Sequence, residues 1–373
     1  MNKVLCIPVA FFFMGFSRVA ASLAPIAPVK KVVVVGGTHG NEYTGVWCIK
    51  SMEKRMDYFR QTYPSLSLST LLGNPEAHLA NKRFVDADLN RQFSHEVLSS
   101  PSSPQNVETR RAREVNDLLG PKFVEDEADM TTDVIIDLHS TTSNMGVTLI
   151  VAERDALMTR AAAYALQKCG PGTQCLLHTH ESREARPNLS STSKHGFTIE
   201  VGPVPQGVLR HDAVEKTEQA LEAVLEFLHL HNQDQEKLSR ELIAYYESYI
   251  VPCYRSAPAM RDGEMSGKIT WPCDPDNDNF PVWMIHKDLQ DQDFKLIETG
   301  DVLFVDLEGN EVAYNGSHGS PVHLIFINEG GYYYKSSGTG VGVAIQSQYD
   351  LDTGTLLVAG EECDAHSECD SFE

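Results

Sequence analysis

The stretch VVVVGGTHGNEYTG, residues 32–45, joins a run of four valines to a glycine-rich turn that carries His39 and Glu42. Four consecutive β-branched apolar residues predict a strand that is buried on both faces, as in a parallel sheet. In such sheets ligands bind beyond the carboxyl ends of the strands. The stretch therefore predicts an α/β fold with a histidine and a glutamate at the edge where binding sites form.

Short β-branched runs alternate with longer amphipathic stretches from Lys31 to about Asn232. This alternation predicts crossover helices packed on a largely parallel sheet. The predicted strands cover residues 31–35, 133–139, 147–153 and 197–202, and the predicted helices cover residues 43–56, 108–119, 155–168 and 212–231. From about residue 243 the pattern changes to short strands broken by Gly, Pro, Asn and Asp, which predicts a smaller β-rich domain.

We therefore expect four segments along the chain. These are a presequence-like segment over residues 1–29, a catalytic domain over 30–234, a β-rich C-terminal domain over 235–352 and an acidic, disordered tail over 353–373. The first segment has the layout of a secretory signal peptide with cleavage after Ala21. The alternatives are an organelle presequence and a wrongly assigned start in an otherwise cytosolic protein. Its apolar run is too short to predict a membrane span. The compartment stays open between the cytoplasm and the secretory or organellar route.

The formal net charge of the 373 residues is −21. A surface of this sign argues against nucleic acid or an anionic membrane as a partner, because it repels phosphate on average. An anionic small molecule needs only a local group of Arg or Lys. The loop NKRFVDADLNRQF, residues 81–93, supplies such a group in Arg83, Asn90 and Arg91. These side chains suit a carboxylate or a developing oxyanion, although ion pairs with Asp86 and Asp88 could simply hold the loop.

Polar side chains that can do chemistry stand near the ends of three predicted strands. His39 and Glu42 follow the first strand, His139 ends the second, and Glu200 stands near the end of the fourth. Two imidazoles and one carboxylate are the protein ligands of a catalytic zinc site. Burying an ionised carboxylate such as that of Glu200 in a sheet costs free energy unless the group has a partner or a function. Acting as a general base is one such function.

Simpler interpretations exist for each of these residues. His39 could cap a helix, His139 could be an ordinary core histidine, and Glu200 could point into solvent from an edge strand. The set of three strand ends favours the functional interpretation, because the carboxyl ends of parallel strands lie at one edge of a sheet.

Six blocks, in order over residues 30–336, resemble the aspartoacylase and type III aminoacylase family, which is built like the zinc carboxypeptidases. The blocks are GGTHGNEYTG, DADLNRQF, DLHSTTSNMG, IEVGPVPQGVLR, LQDQDF and FINEGGYYYK. The resemblance implies a zinc-dependent amidohydrolase that cleaves N-acyl L-amino acids into a carboxylate, such as acetate, and a free amino acid. It also implies one Zn²⁺ per subunit and a homo-oligomer.

The resemblance also implies a role for each matching position. The zinc ligands would be His39, Glu42 and His139, with Asp88 supporting the metal site. Glu200 would be the general base, and Arg83 would polarise the scissile carbonyl. The substrate α-carboxylate would be held by Asn90 and Arg91 and by Tyr332, which reaches in from a C-terminal domain that narrows the site against long peptides.

One departure from the family concerns the substrate side chain. Aspartoacylases place an Arg ten residues before the catalytic Glu and a Tyr four residues earlier, whereas this chain has Ser190 and Arg186 there. Residues 187–196, PNLSSTSKHG, are more similar to type III aminoacylase. We therefore expect a preference for aromatic or mercapturate-type substrates, with N-acetyl-L-aspartate as the alternative if Arg183 or Arg186 enters the pocket. A metallocarboxypeptidase and a catalytically silent binding protein are further alternatives.

Overall fold

The computed structural model of the chain describes residues 22–99, 105–179, 182–261, 263–277, 280–334 and 340–357. The predicted cleavage site after Ala21 and residues 358–373 of the predicted tail lie outside the described residues. Residues 353–357 of that tail are described, and Leu356 and Leu357 pair with Tyr349 and Gln348. Residues 23–29 are anchored to the helical layer, since the amide of Leu23 donates to Ser239 and that of Val29 donates to Asn232.

The helices of the described residues have the following bounds. They are α1 Tyr43–Lys54, α2 Met56–Thr62, α3 Pro75–Leu79, α4 His95–Ser99, α5 Val107–Leu119, α6 Ala156–Cys169, α7 His211–Gln233 and α8 Gln235–Tyr245. Short 3₁₀ turns include Leu89–Arg91, Leu189–Thr192 and Gly330–Tyr333. No helix in the described ranges combines the length and apolar character that a membrane crossing requires.

The strands alternate with the helices in the first two thirds of the chain and then follow one another. They are β1 Lys31–Gly36, β2 Ser67–Leu72, β3 Val134–Ser140, β4 Gly146–Ala152, β5 Thr173–His178, β6 His195–Gly202, β7 Ile250–Ser256, β8 Lys268–Thr270, β9 Cys273–Asp274, β10 Phe280–Pro281, β11 Trp283–Ile285, β12 Leu296–Ile297, β13 Val302–Asp306, β14 Glu311–Ala313, β15 Val322–Ile325, β16 Gly340–Asp350 and β17 Leu356–Leu357.

One large sheet runs through the molecule in the order β12-β15-β16-β7-β5-β4-β6-β3-β1-β2. Its pairs are parallel from β6 through β3 and β1 to β2, and again between β4 and β5 and between β5 and β7. Strand β4 is antiparallel to β6, and the strands around β16 are antiparallel. The α/β prediction with a mostly parallel sheet and a smaller β-rich C-terminal part is confirmed.

The four valines of β1 explain why this strand lies inside the sheet. Val32 and Val34 pack into the core that α1 and α7 cover, whereas Val33 and Val35 pack into a second core under α5. All four are at most 1% exposed. Burial of each valine side chain stabilises the strand by about 1.5–3 kcal/mol. Because both faces of the strand are buried, apolar side chains are favoured at all four positions.

Each predicted strand and helix is present, with ends that lie within two residues of the prediction. Strands β2 and β5 were not among the predicted elements, although they extend the same sheet. The predicted boundary at residues 234 and 235 stays a prediction. The helix α8 follows it directly, and β7 and β16 join the C-terminal part to the large sheet. Smaller sheets of β9 with β10 and of β11, β13 and β14 cover a separate core.

Candidate metal centre and active site

The turn between β1 and α1 carries His39 and Glu42 to the edge of the sheet. Gly37 has a φ of +72°, a conformation that glycine adopts without strain. A Cβ on Gly45 would come within 2.4 Å of the carbonyl oxygen of Leu138, so the first turn of α1 lies directly on β3. This close approach places the N-terminal end of α1 beside β3, where Glu42 contacts His139.

The carboxylate of Glu42 lies between the two imidazoles. Its Oε1 is 2.5 Å from Nδ1 of His39, and its Oε2 is 3.0 Å from Nδ1 of His139. One ligand atom from each residue lies within 4.8 Å of the others, and all three side chains are buried. Within the described residues, this is the one group of three or more His, Cys, Asp or Glu residues that could hold a metal. The helix-capping alternative for His39 is wrong, because α1 begins after Glu42.

An aspartate holds the far nitrogen of each imidazole. Nε2 of His39 lies 3.1 Å from Asp88, and Nε2 of His139 lies 2.9 Å from Asp137. Thr38 donates a hydrogen bond to Asp137 at 2.8 Å. Metal-ligating histidines characteristically donate their other ring N–H to a carboxylate, which leaves the first nitrogen free to bind. The donor set therefore fits a metal ion bound through the two Nδ1 atoms and Glu42.

The charges of this group influence one another strongly. Burial would raise the pKa of Glu42, yet the imidazoles of His39 and His139 hold it well below its ordinary value. Burial would lower the pKa of His139, but the carboxylates of Asp137 and Glu42 raise it well above the ordinary value. Three carboxylates around two imidazoles therefore make the cluster attractive to cations.

Glu200 stands beside the metal cluster on the neighbouring strand. It is the register partner of His139 on one side and of Thr148 on the other, so β6 is an inner strand and the edge-strand alternative is wrong. Burial raises the pKa of Glu200 well above its ordinary value, while His139 opposes this and Glu42 adds to it. A carboxylate with raised proton affinity is suited to accept and return a proton near neutral pH.

Arg83 is buried and surrounded by acids. Its guanidinium donates to Glu42 at 3.3 Å and to Asp88 at 3.4 Å, and lies 3.6 Å from Glu329. Glu329 itself accepts a bond from Thr141 and one from the amide of Gly331 at 2.7 Å. The guanidinium is thus fixed against the metal cluster, where it can donate to an oxygen that becomes negative.

A cavity of about 570 Å³ opens beside the metal cluster. All the predicted metal ligands, catalytic residues and substrate-binding residues line it, and these are His39, Glu42, Arg83, Asn90, Arg91, His139, Arg186, Ser190, Glu200 and Tyr332. Arg91 is exposed and stands at the mouth, whereas the Tyr332 ring is capped by the ammonium of Lys268 at 3.5 Å. The structure therefore brings together, in one cavity, residues that are up to 293 positions apart, from His39 to Tyr332.

Of the two arginines considered for the side-chain end, only Arg186 lines this cavity. Arg186 is 6% exposed, and its side chain has no hydrogen bond or ion pair with the described residues. Arg183 instead donates to the carbonyl oxygens of Lys122 and Ser191 and pairs with Glu184. Ser190 accepts a hydrogen bond from Asn188 at 2.9 Å.

Sequence reasoning missed three residues around the site. Asp137 precedes His139 by two residues on β3, and this spacing alone predicts that both side chains leave the same face. Glu329 lies in the block FINEGGYYYK that drew attention to Tyr332. Lys268 gave no local signal. Burial, together with the nearby Arg91 and Arg83, lowers its pKa to about 8.

Comparisons with known proteins show which family the chain resembles over most of its length. Residues 28–228 match the family model described as the succinylglutamate desuccinylase/aspartoacylase catalytic domain, and residues 264–340 match the AstE/AspA barrel-sandwich hybrid domain. The chain is 35% identical to a probable aspartoacylase of a Nostoc species, covering 82% of this chain and 94% of that protein.

Two vertebrate relatives bear a different kind of name. An N-acyl-aromatic-L-amino acid amidohydrolase (carboxylate-forming) of Xenopus laevis is 36% identical, over 83% of this chain and 92% of that protein. The crystal structure of murine aminoacylase 3 is 29% identical and superposes with a TM-score of 0.71, covering 89% of this chain and 99% of that chain.

Proposed function

We propose a function for this chain from the premise that it belongs to the succinylglutamate desuccinylase/aspartoacylase family. It is a zinc-dependent amidohydrolase that cleaves the amide bond of N-acyl L-amino acids, releasing a carboxylate such as acetate and a free amino acid. The observation that carries this proposal is one cavity in which a buried His-Glu-His group, a glutamate of raised proton affinity and several arginines lie together.

His39, Glu42 and His139 would hold one Zn²⁺ per subunit. Two nitrogens and a carboxylate oxygen suit zinc and leave a fourth position open. When bound, zinc supplies a Lewis acid that polarises the amide carbonyl and makes water more acidic. Asp88 and Asp137 orient the two imidazoles and increase their basicity through the Nε2 hydrogen bonds.

Glu200 and Arg83 would carry the proton and charge movements of the reaction. Glu200 accepts the proton of the attacking water and later delivers it to the nitrogen of the departing amine. Arg83 donates to the carbonyl oxygen as it becomes negative. This interaction is stronger in the transition state than in the ground state and therefore accelerates the reaction.

Asn90, Arg91 and Tyr332 would bind the α-carboxylate of the substrate. Asn90 is held in place because its Oδ1 accepts a bond from the amide of Leu189 at 2.9 Å, which leaves its Nδ2 to donate. Arg91 can pair with a carboxylate through both arms of its guanidinium. Binding the carboxylate there directs the scissile amide towards Arg83 and Glu200.

We propose an aromatic or mercapturate-type side chain as the first preference. The name of the Xenopus laevis relative supports the aromatic preference, and Ile150, Met265 and Phe326 give the cavity apolar walls. A second candidate is an acidic side chain, as in N-acetyl-L-aspartate. The observation that favours it is the buried guanidinium of Arg186, which forms no hydrogen bond or ion pair in the described part of the chain and is attracted only at longer range by Asp155 and Glu184.

The experiment is a direct assay of the purified protein with its zinc content measured. Release of the free amino acid is followed with N-acetyl-L-phenylalanine, an S-aryl mercapturate and N-acetyl-L-aspartate, with a chelator-treated sample as the control. Bound zinc without turnover of any N-acyl amino acid would overturn the proposal and favour a silent binding protein. Loss of C-terminal residues from an unblocked peptide would favour a carboxypeptidase. Light scattering on the same sample tests the expected homo-oligomer.

A further inference from the structure

Lys122 is a fully buried lysine that the proposed chemistry does not use. It follows α5 after Gly120 and Pro121, is 0% exposed, and is among the largest fully buried side chains of the described residues. Its ammonium donates to the carbonyl oxygen of Phe93 at 2.7 Å and to that of Arg186. The ring of Phe123 covers it at 5.1 Å.

Burying the ammonium of Lys122 in these surroundings costs free energy. No carboxylate among the described residues forms an ion pair with Lys122, and the side chains of Arg183 and Arg186 repel it. Burial and these two arginines lower the pKa of Lys122 to about 7, with the carboxylate of Glu184 acting in the opposite direction. A buried charge without an anionic partner lowers stability unless hydrogen bonds compensate it. Here two backbone carbonyls provide that compensation.

The two carbonyls belong to different segments of the substrate cavity. Phe93 stands two residues after Arg91, in the segment that would bind the α-carboxylate. Arg186 begins the segment 186–192 at the side-chain end of the cavity. Lys122 therefore joins two chain segments that are about 90 residues apart in sequence.

Two more hydrogen bonds connect the same segments. The amide of Phe93 donates to the carbonyl oxygen of Pro187 at 3.1 Å, and the amide of Leu189 donates to Oδ1 of Asn90 at 2.9 Å. Arg183 donates to the carbonyl oxygen of Lys122 at 2.9 Å, so the backbone of the lysine is also fixed by a hydrogen bond. The ammonium is thus the charged centre of a small network that sets the distance between the two ends of the cavity.

We propose that Lys122 is a positioning residue, which fixes the carboxylate-binding segment around Arg91 and the segment that begins at Arg186 relative to each other and so determines substrate affinity and selection. This inference rests on the proposed function for its kinetic consequences. Its structural part does not, because the hydrogen bonds between the segments are present whatever the substrate is.

The test replaces Lys122 by Met, which has a side chain of similar length and lacks the ammonium group. We expect KM to rise by about tenfold, in keeping with the loss of charged hydrogen bonds, while kcat per bound zinc changes much less. The amide hydrogens of Phe93 and Leu189 should exchange faster with solvent, because their acceptors lie across the loosened junction. A purely structural role would lower the active fraction and leave KM unchanged.

Lys194→Met is the matched control. Lys194 is a partly buried lysine beyond the same segment, pairs with Asp133 at 2.8 Å, and does not line the main cavity. It should leave KM and the exchange of both amides unaltered. Lys122→Gln, which retains a neutral donor, serves as a second variant and should recover part of the KM loss.

The outcomes separate this inference from the proposed function. Unchanged amide exchange in both Lys122 variants, or an unchanged KM, would overturn the positioning role. Absence of hydrolysis by the unaltered protein would overturn the proposed function alone. In that case the exchange measurement still decides whether Lys122 holds the segments together.

Discussion

His139 and Glu200 are register partners on the neighbouring parallel strands β3 and β6. Their side chains therefore leave the same face of the sheet side by side, one as a proposed metal ligand and the other as a proposed base. Because they belong to different strands and only His139 touches Glu42, each can be removed without removing the other. Metal binding and proton transfer can thus be tested separately.

Glu200→Gln should retain zinc and lose turnover. The amide keeps the shape of the side chain but cannot accept the proton of water, so kcat should fall by a factor of about 100 or more. His139→Ala should lose both zinc and activity, because one of three ligands is gone. Metal analysis and kcat, measured on the same samples, check both expectations, and full activity in either variant would contradict the assignment.

Asp137→Asn should weaken zinc binding without abolishing it. Asp137 accepts the Nε2 hydrogen of His139, and loss of such a supporting carboxylate typically costs about 10-fold to 100-fold in metal affinity. Competition with a zinc chelator measures the change. Asp133→Asn is the control near the start of the same strand, where the carboxylate binds Lys194 and the amide of Lys31, and zinc affinity there should not change.

Arg91→Ala and Arg83→Met should have different kinetic effects. Arg91 would bind the substrate carboxylate equally in ground and transition states, so its loss should mainly raise KM. Arg83 faces the position where negative charge develops, so its loss should lower kcat by a factor of about 100. Steady-state kinetics on both variants, with exposed Arg110→Ala as a control, test the split. The assigned roles are wrong if the two variants show the same pattern.

Arg186→Met should change which substrate is preferred. If the buried guanidinium pairs with an acidic side chain, its loss should lower kcat/KM for N-acetyl-L-aspartate by about 10-fold to 100-fold relative to N-acetyl-L-phenylalanine. Arg160→Met is the matched control, since Arg160 is similarly buried, pairs with Asp352 and lies outside the main cavity. An unchanged ratio of the two kcat/KM values would remove the argument for acidic substrates.

Lys122 should make the free energy of unfolding increase with pH. Its pKa is lowered in the folded chain to about 7 from the value of 10.5 of a free lysine. Between these values the unfolded chain binds more protons, so the free energy of unfolding should rise with pH in comparison with Lys122→Met. Urea unfolding of both proteins at about pH 6.5 and about pH 9 measures the difference in slope. An equal pH dependence of the free energy of unfolding in both proteins would show that burial does not lower the pKa of Lys122.

The strand-end residues were predictable because they depend on local pattern alone. An apolar β-branched run such as residues 32–35 predicts an inner strand, and a parallel sheet places the residues that follow it at the binding edge. His39, Glu42 and His139 can be predicted in this way without knowing which segments pack against them. The supporting Asp137 could have been predicted too, since residues two apart on a strand share a face.

Contacts between distant segments were beyond that reasoning. Arg183 and Arg186 are equally plausible in the sequence, yet backbone carbonyls hold the first away from the cavity while the second lines it. Lys122 looks like any surface lysine, because its two acceptors come from residues 29 and 64 positions away.

The sequence by itself determined the class of sheet, the order of its elements and the chemistry at the strand ends, because periodicity and strand polarity are properties of short stretches. Only the tertiary structure decided which arginine faces the substrate, which carboxylates support the imidazoles and where Lys122 is anchored. Those outcomes depend on the burial and hydrogen bonding of groups that meet only after folding, when each buried polar atom needs a partner from whichever segment lies nearest.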